Sequence, residues 1–268
     1  MSDAAWVPPG IDQETPSAAR LYDYFLGGDY NFAVDRQLGE RIAAVLPQAR
    51  HMARVNRAFL RRAVSHCALA GIRQFIDLGC GLPSMGPVHE VAQRVDPECR
   101  IVYVDNEPVV TAHGELLLAG NERAAIIRAD LRDHEAIFEH ERTRALIDFD
   151  LPVAVLTVAV LHFLPDDGEA ADVIARYAGA VAPGSFLVFS HITNDVVDHE
   201  TARKSVELYN TSQNKIYPRP RAAIAAMLGD CPLIDPGLVF VPAWRPDSPA
   251  DAENPDLSSF YGAVARLG

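Results

Sequence analysis

"FIDLGCGLP", residues 75–83, decides how the rest of this 268-residue chain is read. Phe75, Ile76 and Leu78 form a short apolar run that ends abruptly in two glycines, the pattern of a buried strand running into a ligand-facing loop. Gly79 and Gly81 let the backbone turn tightly and approach a bound molecule, and Asp77 puts a carboxylate at the same place. A dinucleotide fingerprint asks instead for G-x-G-x-x-G and a helix start free to hold a pyrophosphate. Here position 84 is Ser, Pro83 has no N–H to donate, and a carboxylate stands where phosphates would lie. The loop suits a ligand presenting an ammonium group, so an NAD-linked oxidoreductase is disfavoured.

Outward from this stretch, short apolar runs alternate with segments of helical period. Further candidate strands are 100–105, 124–130, 152–162 and 185–191, with the first spanning 72–78; helical periodicity fills 107–119 and 168–182 between them. Near-continuous apolar strands alternating with helices predict a doubly wound, mostly parallel α/β sheet covered on both faces. Helical segments follow at 195–212 and 221–228. Two more apolar runs, 237–244 and 258–267, are joined by the polar, proline-rich "RPDSPADAENPD" and predict an antiparallel hairpin at the sheet edge, seven strands in all.

In such a sheet, ligands bind at the carboxyl ends of the strands near the topological switch point. Asp105 ends the second strand in "VYVDNE", 24 residues after Gly81, where an acid can accept both hydroxyls of a ribose. Asp130 follows the third strand in "RADLRD", placed to receive an adenine amino group while the Leu131 backbone pairs with the ring edge. One carboxylate per successive strand end favours an adenosine ligand with a positively charged amino-acid tail. S-adenosylmethionine fits that description.

At this point "FIDLGCGLP", "VYVDNE", "RADLRD", "VAVLHFLPDD" and "PGSFLVFSH" resemble the successive motifs of the Rossmann-like, class I S-adenosylmethionine-dependent methyltransferases. The stretches "ARLYDYFLGGDYNFAVDR", "NRAFLRRAV" and "PGLVFVPAWRPD" are similar to one family among them, the S-adenosyl methyltransferase family, formerly a domain of unknown function. The resemblance runs from about residue 11 to the end. It implies that Asp77, Gly79 and Gly81 surround the methionine part of the cofactor, Asp105 the ribose, and Asp130 with Leu131 the adenine; Cys80, Asn106 and Ala159 are expected beside them. It also implies S-adenosylhomocysteine as product. His162, ending the fourth strand, is the candidate general base or pocket wall, with His191 and Tyr209 behind it. The acceptor is expected to be a small molecule, and a non-catalytic cofactor sensor is the alternative.

Composition agrees. A net charge of −12 argues against a protein that tracks nucleic-acid phosphates, and the stretch after the fourth strand lacks the Pro-Pro-aromatic run common in nucleic-acid amine methyltransferases. The four cysteines are scattered, so no metal site is expected. No apolar run is long enough to span a membrane and the start shows no export signal, which predicts a cytoplasmic location.

Residues 1–70 read as an N-terminal helical extension or lid, and 71–268 as the cofactor-binding domain. Ala18, Leu21, Tyr22 and Phe25 recur at helical spacing, so Tyr22 and Phe25 are expected in the core, with Gly27-Gly28 as helix stop and hinge. Tyr24, Tyr30, Asn31 and Phe32 fall off that stripe and are expected to face the cofactor, where a ring beside a sulfonium gains roughly 0.5–2 kcal/mol. Helices are also predicted over 34–46 and 48–70. The second carries Arg50, Arg54, Arg57 and Arg61 on a solvated face, with Asn56 and Arg57 in reach of a site.

Overall fold

The computed structural model of the chain describes residues 11–83 and 85–268. Three helices come first: α1 (Ala18–Leu26), α2 (Ala33–Val45) and α3 (Ala49–Leu69). The Ser17 hydroxyl caps α1 by accepting from Arg20 N, and Gly27 closes it at φ 87°, a left-handed conformation that glycine adopts without strain. Residues 1–10 of the expected N-terminal unit lie outside the described residues.

From Gln74 the chain alternates: β1 (Gln74–Leu78), α4 (Val88–Val95), β2 (Arg100–Asp105), α5 (Pro108–Leu117), β3 (Ala124–Arg128), α6 (His134–Glu139), α7 (Glu141–Leu146), β4 (Ala154–Val158), α8 (Asp167–Ala180) and β5 (Phe186–Ile192). Then come α9 (His199–Tyr209), α10 (Arg221–Leu228), β6 (Val239–Phe240) and β7 (Phe260–Arg266). The strands form one sheet in the order β3-β2-β1-β4-β5-β7-β6. β1 to β5 are parallel; β7 runs antiparallel to β5 over seven residue pairs and to β6 over two. This is the Rossmann-like methyltransferase architecture with an antiparallel C-terminal pair.

The sheet is buried on both faces, which is why its strands are apolar at consecutive positions. Phe75, Tyr103, Ile126 and Leu156 face a layer built by α1 to α5, while Ile76, Val102, Ile127 and Val155 face α8, α10 and their neighbours. Helix α3 belongs to the first layer: Phe59, Ala63, Val64 and Cys67 are fully buried in the same cluster as Phe75 and Phe186. Arg62 fastens it by donating to the Val241 and Trp244 carbonyls at 2.7 and 3.0 Å.

Two strands stop earlier than their apolar runs predict. β4 ends at Val158 because Ala159 takes a left-handed φ of 56°, its N–H donating to Ser190 Oγ at 3.0 Å, and a tight turn over Leu161–Phe163 follows. The run 237–244 yields only a two-residue β6, since Pro242 cannot donate to a ladder and the chain turns to bury Trp244 edge-on against Phe59. Helices α4, α6 and α7 have no counterpart in the sequence reading.

Candidate active site

Between the parallel neighbours β1 and β4 the strand order reverses, the chain running outward to β3 on one side and to β5 on the other, and this switch point leaves a crevice at the carboxyl ends of the strands. A cavity of about 360 Å³ lies there. It brings together Asp77, Gly79, Cys80, Gly81, Asp105, Asn106, Asp130, Leu131, Ala159 and His162 of the expected site.

Gly79 and Gly81 both have positive φ, 64° and 60°. A Cβ on Gly79 would lie 2.1 Å from the Val160 side chain, whereas one on Gly81 would meet nothing within 4 Å. The first glycine is required by packing and the second by backbone conformation. Asp105 holds the turn in place: its two carboxylate oxygens accept from Gly81 N and Glu107 N, each at 2.9 Å.

The electrostatics of the crevice are unusual. Asp77 is 5% exposed, and its carboxylate makes no hydrogen bond among the described residues. Burial pushes its pKa up to about 7, against a downward pull from the Arg57 guanidinium. Burial also raises Asp105, and lifts Glu107 to about 7 although Arg20 donates to it at 3.3 Å. Arg57, on α3, lines the cavity with its guanidinium 5.7 Å from the Tyr22 ring centroid and its Nε buried without a hydrogen-bond partner among the described residues. A carboxylate and a guanidinium that are both unspent and mutually attractive match the ammonium and carboxylate of an amino acid. The methionine part of S-adenosylmethionine fits that pair.

Asp130 lines the cavity as expected but shares its carboxylate with a neighbour. Arg132 grips it, with Nε donating to Oδ1 at 2.9 Å, and that hydrogen bond lowers the Asp130 pKa. His162, 3% exposed, sits in the tight turn after β4 with Nδ1 unpartnered; burial, then His191 and Arg219, hold its pKa well below 6.5. His191 does not line the cavity: its Nδ1–H donates to the Ile192 carbonyl at 2.7 Å and its Nε2 accepts from buried Arg219 at 3.1 Å. It is a structural histidine. Tyr209 does line the cavity.

The aromatic stretch near the N-terminus corrects the sequence reading. Tyr24 and Asn31, expected at the cofactor, do not line the cavity. Tyr24 is buried against Gly39 of α2, where a Cβ would come within 2.3 Å of the ring, and Arg50 lies 4.4 Å over its centroid. The Asn31 amide donates to Asp23 Oδ2 at 2.9 Å and Gly28 O at 2.8 Å. Tyr30 packs 3.7 Å from the His113 ring and Phe32 lies under Arg20. These rings take their partners from within the helical layer. Tyr22 and Phe25, expected as core, do belong there, Phe25 within the core cluster and Tyr22 packed against it, and both also line the cavity. The Tyr22 hydroxyl donates to Ala53 O at 3.1 Å and accepts from Asn56 Nδ2 at 3.0 Å, which fixes its ring in the wall.

The glycine pair is a set turn, because Asp23 accepts from Tyr30 N at 2.9 Å and fills the space a Gly28 Cβ would need. Buried Asp35 holds α1 to α2 by accepting from Arg20 Nε at 2.8 Å, Phe32 N at 2.8 Å and Ser17 N at 3.0 Å. Sequence reasoning missed Glu107, Arg132 and, apart from Tyr209, the α9 face that also reaches the cavity; only the acid in "VDNE" gave a signal.

Fold and site together define a Rossmann-like methyltransferase that uses S-adenosylmethionine. The chain belongs to the S-adenosyl methyltransferase family, whose model matches residues 4–268. It is similar to a Thermobifida fusca protein described as a "putative methyltransferase", with 38% identity, TM-score 0.90, and 98% of this chain and 99% of that one covered. A DUF574 family protein from Streptomyces avermitilis matches at 35% identity and TM-score 0.90, covering 96% of this chain and 99% of that one. An O-methyltransferase family protein from Burkholderia thailandensis shares the fold at 19% identity and TM-score 0.51, over 82% of this chain and 60% of that one. A search among curated proteins finds no match.

Proposed function

We propose that the chain transfers a methyl group to a small molecule held on the β4–β5 side of the crevice. When bound, S-adenosylmethionine would supply an electrophilic methyl on its sulfonium: the acceptor would attack that carbon in line as the C–S bond breaks, and S-adenosylhomocysteine would be the leaving group. Asp77 binds the ammonium and Arg57 the carboxylate of its methionine part; Asp105 accepts the ribose hydroxyls through lone pairs that its two backbone donors leave free. Asp130, shared with Arg132, and the Leu131 backbone meet the adenine. Tyr22 and Phe25 take the wall position that the spacing assigned to Tyr24.

The protein's work is alignment and exclusion of water, which can supply several kcal/mol of the barrier without covalent chemistry. His162, neutral at working pH, serves as an acceptor for a proton or hydrogen bond of the incoming nucleophile. The observation that carries this reading is the unspent Asp77–Arg57 pair facing the crevice at the strand ends. Thermal shift tests it: S-adenosylmethionine raises the melting temperature and NAD does not. Formation of S-adenosylhomocysteine with a protein-free cell extract then shows turnover. Stabilisation by NAD alone overturns the reading.

A further inference from the structure

The charged groups of the cavity are confined to one side. Asp77, Asp105, Glu107, Asp130 and Arg132 stand at the ends of β1, β2 and β3, and Arg57 reaches the same side from α3. Past β4 the lining changes character. Phe163 after β4, Val197 after β5, Val206 and Tyr209 of α9, and Phe260 of β7 make a wall of apolar and aromatic groups. His162 stays neutral there, since burial holds its pKa well below 6.5. Other polar groups on this side are hydroxyls and amides, among them Asn194, Ser205 and Ser259.

Two further observations mark this side as a binding chamber. Helix α9 turns Ala202, Ser205, Val206 and Tyr209 to the cavity at i, i+3, i+4 and i+7, yet none of its residues is fully buried. Of this mainly apolar stripe only Tyr209 also packs against the core; Ala202 and Val206 face the cavity without belonging to either core cluster. Ser259 sits at a left-handed φ of 47°, with its hydroxyl buried and, like His162 Nδ1, without a hydrogen-bond partner. A strained residue carrying an unspent polar group suits a site better than a packing role.

An ion moved into such surroundings loses its hydration without finding a counter-charge, whereas a flat apolar body gains contact with ring faces. We propose that the methyl acceptor is an uncharged, ring-bearing, mainly apolar small molecule with one or two neutral hydrogen-bonding groups, held between α9, Phe163 and Phe260. This rests on the methyl-transfer reading, because it takes the chamber next to the cofactor residues as the acceptor's place.

The test uses protein saturated with S-adenosylhomocysteine and two fluorescent probes sharing a ring system: neutral N-phenyl-1-naphthylamine and its sulfonated relative 1-anilinonaphthalene-8-sulfonate. The neutral probe is expected to bind about tenfold more tightly or better, since only the sulfonate must be desolvated. Val206→Asp puts a charge on a wall that carries no core packing; it weakens the neutral probe about tenfold, while Val206→Leu retains it. Calorimetry is expected to show S-adenosylhomocysteine binding both variants as it binds the parent. Equal or tighter binding of the sulfonate, or indifference of the neutral probe to Val206→Asp, overturns the inference alone. Failure of S-adenosylhomocysteine to bind the parent protein overturns the methyl-transfer reading, and this inference with it.

Discussion

On the β1–β3 side of the cavity stand all of its charged groups, most of them at strand ends between residues 77 and 132; on the β4–β7 side the polar groups are neutral and arrive from segments as far apart as His162 and Ser259. In the proposed reading the first half meets charge and hydroxyls, with Asp77, Asp105 and Glu107 held by burial above the usual carboxylate range. The second recognises shape and apolar surface. A methyl-transfer site needs both, because one ligand is a zwitterion shared by the whole class and the other is specific to the enzyme.

The largest expected effect breaks or confirms the charged half. Asp77→Asn should weaken S-adenosylmethionine binding about 100-fold in calorimetry, the worth of a charge-assisted bond in a buried site. An unchanged Kd would remove Asp77 from the cofactor. The parent's affinity should climb about tenfold per pH unit toward about 7, where the Asp77 carboxyl loses its proton, and then level off, with the Asn variant flat. The sign for stability is opposite. Burial pushes the folded carboxyl up to about 7 from the 3.8 of an ordinary aspartate, so the cofactor-free protein binds more protons than the unfolded chain between those values. Its stability therefore falls as pH rises through that window, Glu107 adds in the same direction, and Asp77→Asn raises the melting temperature at pH 8.

Next in size is Asp105→Ala, expected to cost about tenfold or more in cofactor affinity through loss of a charge-assisted acceptor. Because Asp105 also pins Gly81 N, the same variant loosens the loop, and hydrogen exchange at residues 79–81 should quicken. His162→Gln probes the border between the halves: cofactor Kd stays within about twofold while kcat drops about tenfold. A matching loss of cofactor affinity would move His162 into the charged half. The smallest effect belongs to Tyr24→Phe, which gives up the Arg50 hydrogen bond and about 1 kcal/mol of stability but leaves cofactor Kd within about twofold.

The charged half was legible because a parallel strand advertises its end: an apolar run stops, glycines follow, and the next acid falls at the crevice. The doubly wound, mostly parallel sheet with its antiparallel edge pair followed from the same alternation. The facing of α1 was not legible, because its apolar stripe looks the same whether it meets core or cavity. Tyr24 is buried because Gly39, fifteen residues on, leaves room for its ring, and no spacing rule within α1 reveals that. The α9 wall and Ser259 escaped for a related reason: apolar residues spread over a hundred positions become one surface only after the sheet has closed.

That closure is a matter of chain order. β1, β2 and β3 meet through short successive crossovers, but β7 inserts between β5 and β6 and pairs with a strand some seventy residues earlier. The charged half can take shape from local connections, while Phe260 and Ser259 reach their places only with this late, non-local pairing. During synthesis, cofactor recognition is assembled before acceptor selectivity, so a polypeptide stalled before β7 would hold half an enzyme.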